Sequence, residues 1–179
     1  YSIDASGSLF PQSPVYMYSV GSAPNVLSVD PSGKFLYLVN NGDSSISVFA
    51  LDATGALTQP SPINVPFAAG ASPMCVICDP TGTNLYVTSG VAVADSCVST
   101  YGVNTSTGEI TLKGSVPTDM QPQWITLDPT GKFVYTANYD GNDVSAFTID
   151  SNGMLQNNIA GSPFGAGMNP HTVSIVMLP

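Results

Sequence analysis

The chain has 179 residues, 43% hydrophobic and 8% charged, with a net charge of −9 from eleven Asp, one Glu and three Lys. That is enough apolar material for one ordinary core, and it excludes a chain kept disordered by charge. With no Arg in the sequence there is no basic footprint for nucleic acid or for an anionic membrane surface, and no apolar run reaches the ~18–20 residues of a membrane span.

The opening stretch Tyr1-Ser2-Ile3-Asp4-Ala5-Ser6-Gly7-Ser8-Leu9 repeats the pattern of Phe49-Ala50-Leu51-Asp52-Ala53-Thr54-Gly55-Ala56-Leu57 and of Phe147-Thr148-Ile149-Asp150. Residues 1–23 therefore read as the tail of a third strand followed by a fourth. Residues 24–72 form the first full unit. Strand a is Asn25–Val29, strand b Phe35–Val39 and strand c Ser45–Leu51; strand d runs irregularly from Leu57 to Val65. Strand c alternates with period two. The turns Asp30-Pro31-Ser32-Gly33, Asn40-Asn41-Gly42-Asp43 and Asp52-Ala53-Thr54-Gly55 carry Pro, Gly, Asn and Asp where tight reversals want them.

The phrase Asp30-Pro31-Ser32-Gly33-Lys34-Phe35-Leu36-Tyr37 recurs as Asp79-Pro80-Thr81-Gly82-Thr83-Asn84-Leu85-Tyr86 and Asp128-Pro129-Thr130-Gly131-Lys132-Phe133-Val134-Tyr135, each time 49 residues on. A fixed period near 50 made of short strands marks a propeller or solenoid, and four antiparallel strands with short turns make one propeller blade. The second blade is 73–121, with an insertion at Gly90-Val91-Ala92-Val93-Ala94-Asp95; the third is 122–169. In 170–179, Pro170-His171-Thr172-Val173-Ser174-Ile175 matches strand a again. The fold class is all-β: a β-propeller with about 3.5 four-stranded antiparallel blades per chain.

An open arc of blades exposes strand edges and an apolar flank. Three closures meet that need. Two copies can join as half-rings into a seven-bladed homodimer, which two-fold symmetry favours. One chain can close a four-bladed ring. Or the chain is a fragment of a longer secreted or surface propeller.

Cys75 and Cys78 form a C-x-x-C, but within one strand positions i and i+3 point to opposite faces. They align with Val26 and Trp124, and with Val29 and Leu127, so they read as core residues. Trp124 reads as packing too. Asp30, Asp79 and Asp128 read as turn caps rather than a carboxylate ring. The loops Asn40-Asn41-Gly42-Asp43 and Asp140-Gly141-Asn142-Asp143 are oxygen-rich but lack the full calcium-loop pattern. No metal and no cofactor is expected, with calcium in these loops the one alternative.

His171 is the sole histidine. It follows the Pro that starts a strand a, and its counterparts are Asn25, Met74 and Gln123. That first position faces the channel mouth, so the four are the candidate ligand-binding ring. His171 is the single candidate for general-base chemistry.

The residues Pro-x-x-Val-x-x-Asp-Pro-Ser-Gly-Lys-Phe-Leu-Tyr-Leu-Val-Asn, Ile-Ser-Val-Phe-Ala-Leu-Asp, Thr-Gly-Ala-Leu-Thr and Gly161-Ser162-Pro163-Phe164 resemble the YVTN-type repeat. More closely they resemble the seven-bladed lactonase-like family that includes bacterial 6-phosphogluconolactonase. The resemblance implies a seven-bladed ring, of which this chain is about half, with a ligand site in the central channel. In hydrolytic members it implies opening of a cyclic ester by His, Glu and Arg. Pro170-His171-Thr172-Val173 is similar to the family's Pro-His segment. Glu109, however, falls in an outer turn, and Lys34, Lys132 and Lys113 lie away from the channel.

The reading that follows leans away from an enzyme. It is a non-catalytic binding or scaffold module that self-associates to close its ring and holds a small neutral or sugar-like ligand in the channel. The alternatives are a hydrolase of a neutral cyclic ester through His171 and a piece of a longer surface protein. Low charge with abundant Ser, Thr, Asn and Gly favours an exported location over a cytoplasmic one.

Overall fold

A computed structural model of the chain describes residues 2–10, 18–58, 63–66, 72–90, 92 and 94–176. Parts of the expected fourth strands in 1–23 and 57–65, and Val91 and Val93 of the insertion, lie outside the described residues.

The described residues form strands and no helix. A short hairpin pairs β1 (Ser2–Ile3) with β2 (Leu9–Phe10). The first antiparallel sheet runs in order β3 (Pro24–Val29), β4 (Phe35–Asn40), β5 (Ser45–Ala50), β6 (Ile63–Pro66). The second is β7 (Pro73–Cys78), β8 (Asn84–Ser89), β9 (Cys97–Val103), β10 (Ile110–Pro117). The third is β11 (Pro122–Leu127), β12 (Phe133–Asn138), β13 (Asp143–Ile149), β14 (Leu155–Asn158), with β15 (Phe164–Gly165) also on β13. Apart from β15, which returns to β13, each sheet pairs neighbours in sequence, as successive propeller blades do.

The Asp-Pro-x-Gly phrase makes the first reversal in every sheet. Asp30 Oδ1 accepts from the backbone N–H of Lys34 (2.7 Å) and of Phe35 (2.6 Å), and its Oδ2 accepts from the N–H and hydroxyl of Ser32. Gly33 stands at φ +70°, a left-handed position that only Gly takes at no cost. Asp79 and Asp128 repeat the arrangement. These three carboxylates hold their own turns.

The second sheet is covered on both faces, which is why its β8 is buried from end to end. Val76, Cys78, Leu85, Val87, Tyr101 and Ile110 pack on Phe35, Tyr37, Val39, Ile46 and Val48 of the first sheet. On the other face Cys75, Tyr86 and Val98 pack on Ile125, Val134, Phe147 and Leu155 of the third. Cys75 and Cys78 thus sit in different clusters on opposite faces. Residues 170–176 run on past the third sheet without strand pairing; Val173 and Ile175 are half-buried there.

Candidate functional site

Each inner strand opens with Pro and breaks its ladder directly afterwards. Pairing jumps from Pro73↔Ser89 to Cys75↔Thr88 and from Pro122↔Asn138 to Trp124↔Ala137, and it shifts between Pro24 and Leu27 in β3. Met74 and Gln123 are therefore extra residues left out of the pairing. A β-bulge of this kind bends the strand and re-aims a side chain.

The residue ahead of the Pro is turned left-handed, at φ 48° for Ala23, 54° for Gln121 and 50° for Asn169. For residues with a Cβ this is strained backbone, which persists only where neighbours hold it. The N–H groups of Asn41 and Tyr139 donate to the carbonyls of Ala23 and Gln121, both at 2.9 Å. The Asn169 amide N–H donates to Asn142 Oδ1 (2.8 Å), and its Nδ2 donates to the Tyr139 carbonyl (3.1 Å).

These bends bring the four expected residues together. Asn25, Met74, Gln123 and His171 line one cleft of about 270 Å³ along with Val26, Trp124 and Thr172. Asn25 Nδ2 donates to the Met74 carbonyl at 2.9 Å, tying β3 to β7. Asn41 Nδ2 donates to the Pro73 carbonyl at 3.2 Å and reaches Met74 Sδ at 3.4 Å. His171 is exposed, and its ring meets Tyr139 edge-on, with centroids 4.7 Å apart and planes at 62°. Amides, a thioether, an indole and one imidazole make this a lining free of carboxylates and of Lys that can donate and accept hydrogen bonds.

Trp124 and Tyr139 were not anticipated at the site. Trp124 packs against the second core cluster and also lines the cleft. Its signal in the sequence was the replacement of Val26 and Cys75 by a far larger ring. Tyr139 follows strand b, where Asn41 and Gly90 stand in the other repeats.

Other ionisable groups stand elsewhere. Glu109 is exposed in an outer turn and accepts from Thr107 Oγ1 at 3.2 Å. Lys34 and Lys132 are exposed in the turns at the opposite end of the strands. Asp43 accepts from the Ser22 N–H (2.8 Å) and Ser45 Oγ (2.7 Å), so both its oxygens serve the loop. Asp143 is buried and accepts from Asn138 Nδ2 at 2.6 Å. Burial, reinforced by the neighbouring Asp119 carboxyl, holds Asp143 above the usual carboxylate range. Among the described residues no group of three or more His, Cys, Asp or Glu is placed to hold a metal ion.

Comparison with known proteins places this geometry in context. A family model described as lactonase, 7-bladed β-propeller, matches residues 61–173. The 6-phosphogluconolactonase of Pectobacterium carotovorum is 30% identical over 99% of this chain and 54% of its own length. That of Pectobacterium atrosepticum is 28% identical over 88% of this chain and 47% of its own. Among solved structures, the periplasmic gluconolactonase of Pseudomonas aeruginosa superposes with a TM-score of 0.77 at 22% identity, covering 89% of this chain and 44% of its own; at that identity the likeness is one of fold. The chain spans about half the length of the curated relatives it matches.

These matches overturn the expectation of a non-catalytic scaffold and the lean away from an enzyme. That expectation rested on the scarcity of Arg and Glu. The chain spans about half the length of those relatives, so that scarcity is counted over only part of what they carry.

Proposed function

We propose, on the premise that this chain belongs to the seven-bladed β-propeller lactonase family, that the protein hydrolyses the ring ester of a sugar lactone at its channel mouth. The family match across residues 61–173 carries the proposal. The relatives named 6-phosphogluconolactonase support a sugar lactone as the substrate class.

In this reaction water adds to the acyl carbon, the bond from that carbon to the ring oxygen breaks, and a hydroxy acid is released. His171 takes a proton from the attacking water and returns one to the departing ring oxygen, the work of a general base and then acid. Asn25 and Gln123 offer amide donors and acceptors to the sugar hydroxyls and to the carbonyl oxygen as it gains charge. Trp124 supplies an apolar wall.

The test is hydrolysis of glucono-δ-lactone and its 6-phosphate, followed by acid release. Turnover by the protein with a loss of about 10²–10⁴-fold in His171→Ala is expected. No turnover of either lactone, or an unchanged rate in His171→Ala, would overturn the proposal.

Two further readings belong with it. An exported location is supported by the fold likeness to a periplasmic gluconolactonase. Ring closure by a second copy is supported by the flank of β3. Leu27 is 56% and Val29 44% exposed there, while their counterparts Val76 and Cys78 are buried against the first sheet. Light scattering at twice the 18.5 kDa chain mass is the expected result, and a monomer would remove the second copy.

A further inference from the structure

We propose that the cleft between the second and third sheets, at the turn end opposite the channel mouth, is a separate binding site for a neutral polyol of about hexose size. It does not depend on lactone hydrolysis. The second repeat departs from the other two at this place. Where the first and third carry Lys34-Phe35 and Lys132-Phe133, the second carries Thr83-Asn84.

Between the first and second sheets, the Phe35 ring lies directly on Gly108, so close that a Cβ on that glycine would stand 2.4 Å from the ring. Between the second and third, Asn84 takes the same position on Gly153, where a Cβ would stand 2.2 Å from Nδ2. A planar apolar plug has been exchanged for a short amide. What opens is a cleft of about 450 Å³, inside the usual range of small-molecule pockets.

A second departure points into the same space. The ladder between β9 and β10 jumps from Leu112↔Tyr101 to Gly114↔Thr100, which leaves Lys113 as the bulged residue. The bulge sends its ammonium group to Asn84 Oδ1 at 2.8 Å and to the Asn152 carbonyl at 2.5 Å. Those bonds use two of three ammonium donors. Asn84, itself 5% exposed, donates onward to Asp79 Oδ2 at 2.9 Å and Thr83 Oγ1 at 3.0 Å. This is the same device that builds the channel mouth, a bulge aiming a polar side chain into a gap between blades.

The chemistry of the wall selects the ligand. Thr81, Thr83 and Ser151 bring hydroxyls, Asn84 and Asn152 amides, and Ile149 an apolar floor. Two carboxylates, Asp79 and Asp150, and one ammonium, Lys113, border the cleft. The balance is negative, which repels phosphates and carboxylates. Thr81 and Thr83 bond each other and Asp79, and Asn84 bonds Lys113, Asp79 and Thr83. A ligand therefore meets the remaining hydroxyl lone pairs and the third Lys113 donor, which suits hydroxyls that both donate and accept.

The test is an amide-detected NMR titration of the protein with D-glucose, and in parallel with D-gluconate at equal ionic strength. Saturable shifts of the Asn84 side-chain amide and the Ser151 and Gly153 backbone amides with glucose are expected, with gluconate leaving them unmoved. Asn84→Phe restores the residue of the other repeats and should abolish the shifts. Lys113→Met keeps the pocket open and should weaken binding about tenfold; it decides the matter should Asn84→Phe fail to fold. No shifts with glucose, equal shifts with gluconate, or full-strength binding in either folded variant would overturn the proposal.

Discussion

Tyr139 meets His171 edge-on, ring centroid to ring centroid at 4.7 Å, and so joins the end of strand β12 to the one imidazole of the cleft that Asn25, Met74 and Gln123 line. Aromatic pairs in this geometry contribute about 0.5–1.5 kcal/mol beyond their buried area. For an exposed histidine that is enough to favour one ring orientation over others. If His171 handles the proton in lactone hydrolysis, Tyr139→Leu should slow turnover by up to about tenfold. Tyr139→Phe keeps the ring and should restore the rate. Steady-state kinetics of the pair check this; equal rates in Tyr139→Leu and the parent would remove Tyr139 as a positioning residue.

Asp30 and Asp128 make stability depend on acid. Burial pushes each carboxyl up, but the hydrogen bonds from Ser32, Phe35 and Lys34, and from Thr130, Phe133 and Lys132, outweigh it and leave both below the ordinary 3.8. A lowered folded value means stability that is fully present above 3.8 and is lost as pH falls through the folded value. Asp30→Asn should cost roughly 1–3 kcal/mol at pH 7, because its NH₂ cannot accept from Ser32. It should also flatten the acid limb of a denaturation-versus-pH curve. Asp143 has the opposite sign: its raised value, set by burial and then by Asp119, costs stability as pH rises through it.

The fold was legible because its signals are local and repeated. Asp-Pro-x-Gly closes its own turn through Asp30 Oδ1 and Oδ2, so composition and spacing suffice to place strands a and b around it. That Asn25, Met74, Gln123 and His171 share one cleft was legible as an alignment of first positions after Pro. What aims them was not, because a bulge depends on how β7 pairs with β8 and β11 with β12. Tyr139 and Lys113 escaped for the same reason, since each reaches its site from a neighbouring strand. The lean away from an enzyme failed on a different ground: Arg and Glu were counted over a chain that spans about half the length of its curated relatives.

The Phe35–Gly108 contact gives a direct test of blade packing. Gly108 stands at φ +76°, and a Cβ would lie 2.4 Å from the Phe35 ring. Gly55, at φ +80° in the matching turn of the first sheet, has nothing within 4 Å of the same point. Gly55→Ala should therefore cost only the left-handed strain, about 1–2 kcal/mol. Gly108→Ala should add the clash with a buried ring and reach roughly 2–4 kcal/mol. Urea denaturation of the two variants separates strain from packing; equal costs would show that the sheets give way there.

The cysteines supply the last prediction. Cys75 and Cys78 lie on opposite faces of β7, in different core clusters, so the C-x-x-C cannot close on itself as the strand stands. Burial raises both thiols above their ordinary value, Cys78 to about 12, so little thiolate forms at neutral pH. Cys97 is half-buried and lies within reach of Ser89 Oγ at 3.3 Å. Alkylation of the native protein at pH 8 should label Cys97 first and leave Cys75 and Cys78 unmodified until denaturant exposes them. Mass spectrometry after trapping reads the order. Rapid native labelling of Cys75 or Cys78, or a pair that resists labelling after unfolding without reductant, would contradict the packed arrangement of the second sheet.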